Sequence, residues 1–138
     1  MCQKSTQVLT RETLIEKIQE IEFWPELLDD LNFYLRSYLD RKDLEVIRLL
    51  LSIGANPNPD DDLDCYLTHL LYEYRSNKTL HGDLILSIME LLLVAGADAN
   101  RVWCNNYRAY DYAVYWNLQP IAKLLEKYGA NKKLRDYI

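Results

Sequence analysis

The chain has 138 residues, of which 49% are hydrophobic and 27% charged, with only four glycines and four prolines. This composition is typical of an ordered globular domain that buries its own core, and it excludes a disordered or collagen-like chain. The formal net charge of -5 repels phosphate backbones, so it makes nucleic acid a poor partner and a basic protein surface a better one.

No apolar stretch approaches the length that spans a bilayer, and the N-terminal segment lacks the apolar core of a secretion signal. Cys2, Cys65 and Cys104 are an odd set without Cys-x-x-Cys spacing, which favours free thiols in a reducing compartment. We therefore expect a cytoplasmic protein that does not associate with membranes. We also expect it to hold no metal ion and no cofactor.

The first predicted element is an amphipathic helix within residues 11–24. Its apolar residues recur at helical spacing, namely Leu14, Ile15, Ile18 and Ile21. Thr13 and Glu16 have the spacing of a capping box, and Pro25 suits the first turn of the next helix. We expect this helix to cap the units that follow it.

The next segment, residues 27–58, predicts a pair of helices. The inner helix follows from its apolar spacing at Leu31, Leu35, Tyr38 and Leu39. Asp43 is the predicted N-cap of the outer helix, which ends at Gly54.

Residues 59–100 predict a second helix pair. Leu67, Leu70 and Leu71 indicate its inner helix, although His69 leaves a one-residue ambiguity in the register. The polar stretch 75–83 predicts an inserted loop between the two helices, with Asp83 as the cap of the outer one. Residues 101–138 predict a third pair together with the C-terminal cap.

The same pattern precedes three glycines, Gly54, Gly96 and Gly129. Apolar side chains, mostly aliphatic, stand eight, five, four and one positions before each: Val46, Leu49, Leu50 and Ile53; Ile88, Leu91, Leu92 and Ala95; Ile121, Leu124, Leu125 and Tyr128. This spacing is one face of a helix, and glycine supplies the left-handed backbone that ends it. Turn-forming Asn or Asp residues follow, at Asn56, Asn58, Asp98, Asn100 and Asn131.

The glycines lie 42 and 33 residues apart, and a unit of 33 residues with two helices is the period of the ankyrin repeat. The segment GADANRVWCNNYRAYDYAV resembles that family's hairpin and inner-helix opening, with Arg108 to Asp111 at the Thr-Pro-Leu-His positions. The resemblance covers residues 27–138, about three repeats. It implies an all-α solenoid of stacked helix-turn-helix repeats with short β-hairpin-like loops.

The resemblance also implies a concave face that binds other proteins through hairpin tips and inner helices. We expect the binding residues among the aromatic side chains near the third unit and the acidic run of the hairpin before the second. They are Asp60, Asp61, Asp62, Asp64, Tyr72, Trp103, Asn105, Tyr107, Tyr112, Tyr115 and Trp116, and Cys104 lies at the same hairpin tip. Tyr110 is expected in the core instead. The acidic run is equally compatible with a solvated turn, and it lacks the glycine and glutamate of an EF-hand loop.

These features favour a monomeric, non-catalytic protein that binds and blocks one protein partner. Some small ankyrin proteins of bacteria are immunity proteins against a toxin, so the resemblance allows the same role against a basic toxin here. Two alternatives stay open: a thiol-dependent enzyme that uses Cys65 or Cys104 with His69, and a scaffold that self-associates through the aromatic face.

Overall fold

The computed structural model describes residues 8–58, 65–102 and 107–133, and the side chains of 77–80 lie outside that description. The described residues form helices and no β-strand, which confirms the all-α prediction. An isolated antiparallel bridge joins Val102 and Arg108. The chain divides into two compact units, Met1–Ala55 and Asn56–Ile138. The predicted single-domain boundaries stay a prediction.

The first unit contains three α-helices and two short 3-10 helices. In chain order they are α1 (Arg11–Gln19), the 3-10 helices Ile21–Phe23 and Pro25–Asp30, α2 (Leu31–Arg41) and α3 (Leu44–Ser52). Both α1 and α2 pack against α3. The side chains most deeply buried in this unit are Leu14, Leu35, Tyr38, Val46, Ile47 and Leu50.

The observed N-terminal caps of the helices in this unit agree only partly with the caps predicted from the sequence. Asp43 caps α3 as predicted, because its carboxylate accepts the amide hydrogen of Val46. The prediction that Thr13 caps α1 is wrong: Thr10 is the N-cap, and its hydroxyl accepts from the Thr13 amide at 3.2 Å. Pro25 does begin a helix, but a 3-10 helix that precedes α2.

The second unit contains α4 (Tyr66–Val94), α5 (Ala109–Tyr115) and α6 (Gln119–Lys127). α4 packs against both α5 and α6, which also pack against each other. Leu67, Leu70 and Leu71 are buried, as the inner-helix pattern predicts. His69 is exposed, so the apolar spacing and not the histidine sets the buried face.

The predicted loop at residues 75–83 is wrong in its secondary structure, because α4 continues through it. The stretch contains no proline, and its one glycine lowers helix stability by about 1 kcal/mol, which tertiary packing offsets. Asp83 consequently lies inside α4 and caps no helix.

α4 is nevertheless not a straight rod. A straight helix rises about 1.5 Å per residue, which would place Tyr66 about 45 Å from Gly96. Asn58 precedes Tyr66 by eight residues, which reach about 29 Å when fully extended. Yet the Asn58 side-chain amide lies 3.2 Å from the Gly96 carbonyl oxygen. The axis of α4 therefore bends back between its two ends.

All three glycines of the repeated pattern end their helices as predicted. Gly54, Gly96 and Gly129 have φ angles of 112°, 110° and 97°, which only glycine adopts without strain. The alanine after each glycine donates its amide hydrogen to a carbonyl five residues earlier, at 3.0 Å for Ala55 and 2.9 Å for Ala97 and Ala130. These are the bonds of the Schellman motif.

The helical segments that end at Gly54, Gly96 and Gly129 bury equivalent positions. The buried face is rotated about the helix axis relative to the predicted face. Buried side chains stand eight, seven and four positions before each glycine: Val46, Ile47 and Leu50; Ile88, Met89 and Leu92; Ile121, Ala122 and Leu125. The predicted positions five and one before the glycine are half-buried, except Ala95, which is exposed. The helices thus bury the side chains at i, i+1 and i+4.

A second set of hydrogen bonds repeats within the Asn56–Ile138 unit. Asn58 donates to the Gly96 carbonyl oxygen and accepts from the Asp98 amide, at 3.2 and 2.8 Å. Asn100 makes the same pair one copy later, with the Gly129 carbonyl at 3.1 Å and the Asn131 amide at 2.7 Å. Each asparagine therefore ties its own turn to the next glycine-ended turn.

Candidate functional site

Four of the predicted binding residues meet in one aromatic cluster, which consists of Tyr72, Tyr107, Tyr112 and Trp116. The Tyr72 ring lies 5.7 Å from that of Tyr112 and 5.4 Å from that of Trp116, centroid to centroid. Tyr112 stacks on Trp116 at 5.0 Å and meets Tyr107 edge-on at 6.0 Å. These separations fall in the favourable range for aromatic pairs.

The cluster is assembled from two helices and one loop end. Tyr112 and Trp116 stand four positions apart at the end of α5, so their rings lie on the same side of that helix. Tyr72 comes from the first half of α4, and Tyr107 from the segment just before α5. The cluster therefore links α4 to α5.

The cluster reaches the protein surface. Tyr112 is buried, whereas Tyr72, Tyr107 and Trp116 are half-buried. Tyr115, next to Trp116 in the chain, is 51% exposed, as the sequence predicts. A surface of this kind offers apolar ring area together with hydroxyl and indole groups that hydrogen-bond.

The positively charged side chain of Arg75 packs on the aromatic cluster. The Arg75 guanidinium carbon is 3.9 Å from the centroid of the Trp116 ring, and Arg75 is exposed. The negative face of an indole attracts a guanidinium in this position. Sequence reasoning did not include Arg75, because it lies in the stretch that was predicted to be a loop.

Tyr110 belongs to the core, as predicted. It is 5% exposed, and its hydroxyl donates a 2.6 Å hydrogen bond to the Glu126 carboxylate on α6. That bond, together with burial, raises the pKa of Tyr110 above its ordinary value. Tyr110 therefore joins α5 to α6 and leaves the surface role to its neighbours.

Sequence reasoning also missed the buried pair Arg108 and Asp111. The Asp111 carboxylate accepts the Arg108 backbone amide at 2.8 Å and its guanidinium at 2.9 Å, and both side chains are buried. The guanidinium also donates to Asn100 Oδ1 and to the carbonyls of Asn131 and Lys133. An acid three positions after a helix start is a capping-box signal, so Asp111 was detectable although the basic partner was not.

This network holds the turn that carries the aromatic cluster. Arg108 precedes α5 directly and follows Tyr107, so the ion pair fixes the start of the helix that positions Tyr112 and Trp116. The Asp111 carboxylate accepts the Arg108 backbone amide and so caps the start of α5.

The remaining predicted residues lie outside the described part of the chain. They are Asp60, Asp61, Asp62, Asp64, Trp103 and Asn105, together with Cys104 of the thiol alternative. Their contribution to a binding surface stays a prediction.

The two described groups of the thiol alternative, Cys65 and His69, differ in exposure. Cys65 is 2% exposed at the start of α4, whereas His69 is exposed one turn later. A buried thiol is poorly placed to meet a substrate. Within residues 8–58, 65–102 and 107–133, no group of His, Cys, Asp and Glu side chains could hold a metal ion.

The sequence matches no protein-family model and no curated protein in searches of both kinds. Among the described helices, none combines the length and the apolar character that a membrane span needs.

Proposed function

We propose that the chain is a non-catalytic module that binds one protein partner through the aromatic cluster and the neighbouring Tyr115. The observation that carries this proposal is the contact of Tyr72, Tyr112 and Trp116 across two helices, at a place where two of the three rings remain partly exposed. A cluster built only to fill a core has no reason to leave that ring area in contact with solvent.

Tyrosine and tryptophan are enriched where interfaces gain most of their binding energy. They bury a large area, lose little side-chain entropy and retain a polar tip that hydrogen-bonds at the rim. Mutual packing in the cluster restricts the rotamers of Tyr72 and Trp116 before a partner arrives. Such preorganisation lowers the entropic cost of association.

The underlying architecture in this proposal is an ankyrin-type array. Its support is the repetition of three local features: the glycine-ended helices, the equivalent buried offsets, and the asparagine bonds to Gly96 and Gly129. In such an array inner helices and loops share one face, where the family binds proteins. The cluster is formed from these same parts of the chain.

The proposed partner is a basic protein, which the module blocks by covering its functional surface. The net charge of -5 favours approach of a basic surface, and the run Asp60 to Asp64 would add to this attraction. A cluster that accepts the guanidinium of Arg75 is also chemically suited to arginine and lysine side chains of a partner. An immunity or inhibitor protein against a basic toxin has this mechanism.

Affinity capture from cells that make the protein tests the proposal. The wild type is compared with the Tyr115→Ala, Trp116→Ala double variant and with Lys123→Ala, a control at an exposed site on α6. The proposal predicts one basic protein that the wild type and the control retain and the double variant loses. Equal recovery by all three contradicts it, and so does a melting temperature of the double variant that collapses, since the rings would then be core.

A further inference from the structure

The aromatic cluster holds a cation that comes from its own chain. The guanidinium carbon of Arg75 lies 3.9 Å from the centroid of the Trp116 ring. Trp116 is half-buried, and its ring stacks on Tyr112 and also contacts Tyr72. The neighbouring rings hold the indole in place, and the negative face of the indole attracts the guanidinium. Arg75 therefore shows how a guanidinium lies on this part of the cluster.

Arg75 is attached to the cluster by this contact and is otherwise loosely held. Its side chain is exposed, and no carboxylate of residues 8–58, 65–102 and 107–133 forms a salt bridge with it. Arg108 is different, because it is buried and paired with the Asp111 carboxylate. A cation on a partly exposed ring gains little free energy, and it loses rotamer freedom when it stays there. Another cation can therefore displace Arg75 at small cost.

We propose that Arg75 occupies the place of an arginine side chain of the protein partner, which displaces it from Trp116. The proposal rests on the partner-binding role of the aromatic cluster and names the chemical group that the cluster recognises. The guanidinium of the partner then lies on the indole as that of Arg75 does in the free chain. Arg75 acts as an internal competitor that lowers the affinity of the site.

An arginine suits this position better than a lysine or an apolar side chain. The guanidinium is planar and weakly hydrated, so it stacks on an indole at a small desolvation cost, whereas an ammonium group is more strongly hydrated. An apolar side chain would displace the cation without replacing its attraction to the ring. The net charge of -5 also favours the approach of a partner that is rich in basic residues.

The competition by Arg75 has a magnitude that binding measurements can resolve. A cation–π contact at an exposed site favours the occupied ring over the open ring by a factor of about two to five. The open ring is then present in about one sixth to one third of the molecules, and the apparent affinity is reduced to that fraction. Removing the guanidinium of Arg75 should therefore strengthen arginine binding about three- to sixfold.

Fluorine NMR of the chain labelled with 5-fluorotryptophan tests the proposal. The chain has three tryptophans, and the resonance that disappears in Trp116→Phe belongs to position 116. The probe is the peptide acetyl-Gly-Arg-Gly-amide, and the control ligand carries citrulline, which has nearly the same shape as arginine but no charge. Arg75→Gln is compared with Lys123→Gln, which removes the same charge from an exposed site on α6.

We expect the arginine peptide, and not the citrulline peptide, to shift the resonance of Trp116. The dissociation constant should be about three- to sixfold smaller for Arg75→Gln than for the wild type, and Lys123→Gln should equal the wild type. Arg75→Lys keeps the charge on a more strongly hydrated group and should give an intermediate value. Equal dissociation constants for the wild type and Arg75→Gln overturn the proposal. So does a Trp116 resonance that responds equally to both peptides or to neither.

The capture assay with the same variants separates this proposal from the proposed function. Arg75→Gln should retain more of the basic partner than the wild type and Lys123→Gln do. A protein that the Tyr115→Ala, Trp116→Ala variant loses and that Arg75→Gln retains no better contradicts the role of Arg75 and leaves the proposed function intact. If no protein is captured, the proposed function fails, and the peptide titration still decides whether Trp116 accepts arginine in competition with Arg75.

Discussion

Asn100 donates a hydrogen bond from its side-chain amide to the carbonyl oxygen of Gly129, 3.1 Å away. Its side-chain oxygen accepts from the Asn131 amide, so one residue holds both sides of a turn 29 to 31 positions further along the chain. Asn58 holds the turn at Gly96 in the same way. The residue four positions after Gly54 or Gly96 is thus a connector to the next glycine-ended turn, and Lys133 takes that position after Gly129.

Replacing this connector should destabilise the fold. Asn100→Ala removes the bonds to Gly129 and Asn131 and also the oxygen that accepts from Arg108, so we expect the free energy of unfolding to fall by about 1–3 kcal/mol. Urea denaturation measures the loss. Ser87→Ala, at an exposed site on α4, is the control and should change stability little. If Asn100→Ala and the control have the same free energy of unfolding, Asn100 does not act as a connector.

The buried pair Arg108 and Asp111 should be more sensitive than an exposed pair. Asp111→Ala leaves the Arg108 guanidinium without its buried counter-charge, and we expect a loss of about 3–5 kcal/mol. The exposed pair Lys127 and Glu90 provides the comparison, since solvent screens it and Lys127→Ala should change stability far less. Thermal and urea unfolding of both variants give the ranking. Equal losses would show that Asp111 does not hold the start of α5.

The three glycines should tolerate alanine equally badly. An added Cβ meets nothing within 4 Å at Gly54, Gly96 or Gly129, so the cost comes only from the positive φ angle. We expect each substitution to reduce the free energy of unfolding by about 1–3 kcal/mol. Val94→Ala, at a 66% exposed site, is the control in the same unfolding assay. A neutral or stabilising alanine at any of the three would mean that the local backbone differs there.

Acid should weaken the contact between α1 and α3. The hydrogen bond from Arg11 lowers the pKa of Asp43 below its ordinary value of 3.8. A carboxyl group with a lowered pKa in the folded chain stabilises it above the ordinary value, and this contribution is lost as the pH falls through the folded-state pKa. Asn caps helices as well as Asp does, so Asp43→Asn keeps the cap and removes the titration.

We therefore expect the wild type to lose stability more steeply than Asp43→Asn as the pH decreases below about 4. Urea midpoints measured from neutral to acidic pH give both slopes. Parallel slopes would show that the ion pair with Arg11 contributes nothing to acid sensitivity.

Local sequence rules predicted the helix ends well where a single residue type decides the backbone. Glycine at 54, 96 and 129 and aspartate at 43 have strong conformational preferences, and each does what was expected. The rotated buried face was not predicted, because positions seven and five before each glycine are both apolar, and the structure buries position seven. The side that becomes buried depends on packing with other helices, which the pattern of one helix does not contain.

The stretch 75–83 shows a different limit of sequence reasoning. Its polar residues and Gly82 favour a loop, yet they lie inside a helix whose two halves bury Tyr74 and Ile85. Tertiary burial outweighs a local preference of about 1 kcal/mol.

For the site, the aromatic residues were predictable because tyrosine and tryptophan are concentrated near α5. Tyr72 was also among the predicted residues, although it lies far from them in the sequence. The contribution of Arg75 was not predictable, since it depends on how α4 meets α5. The ion pair of Arg108 with Asp111 was not predicted either, because the sequence does not show that both side chains become buried.

Photocrosslinking at the proposed interface tests the central claim most directly. A photoreactive phenylalanine analogue replaces the exposed Tyr115, and a second preparation carries it at the exposed Ser87 on α4. In cells that make the protein, we expect the probe at position 115 to form one covalent adduct with a basic protein and the probe at position 87 to form none. Equal adducts at both positions, or none at position 115, would contradict a partner-binding surface at the aromatic cluster.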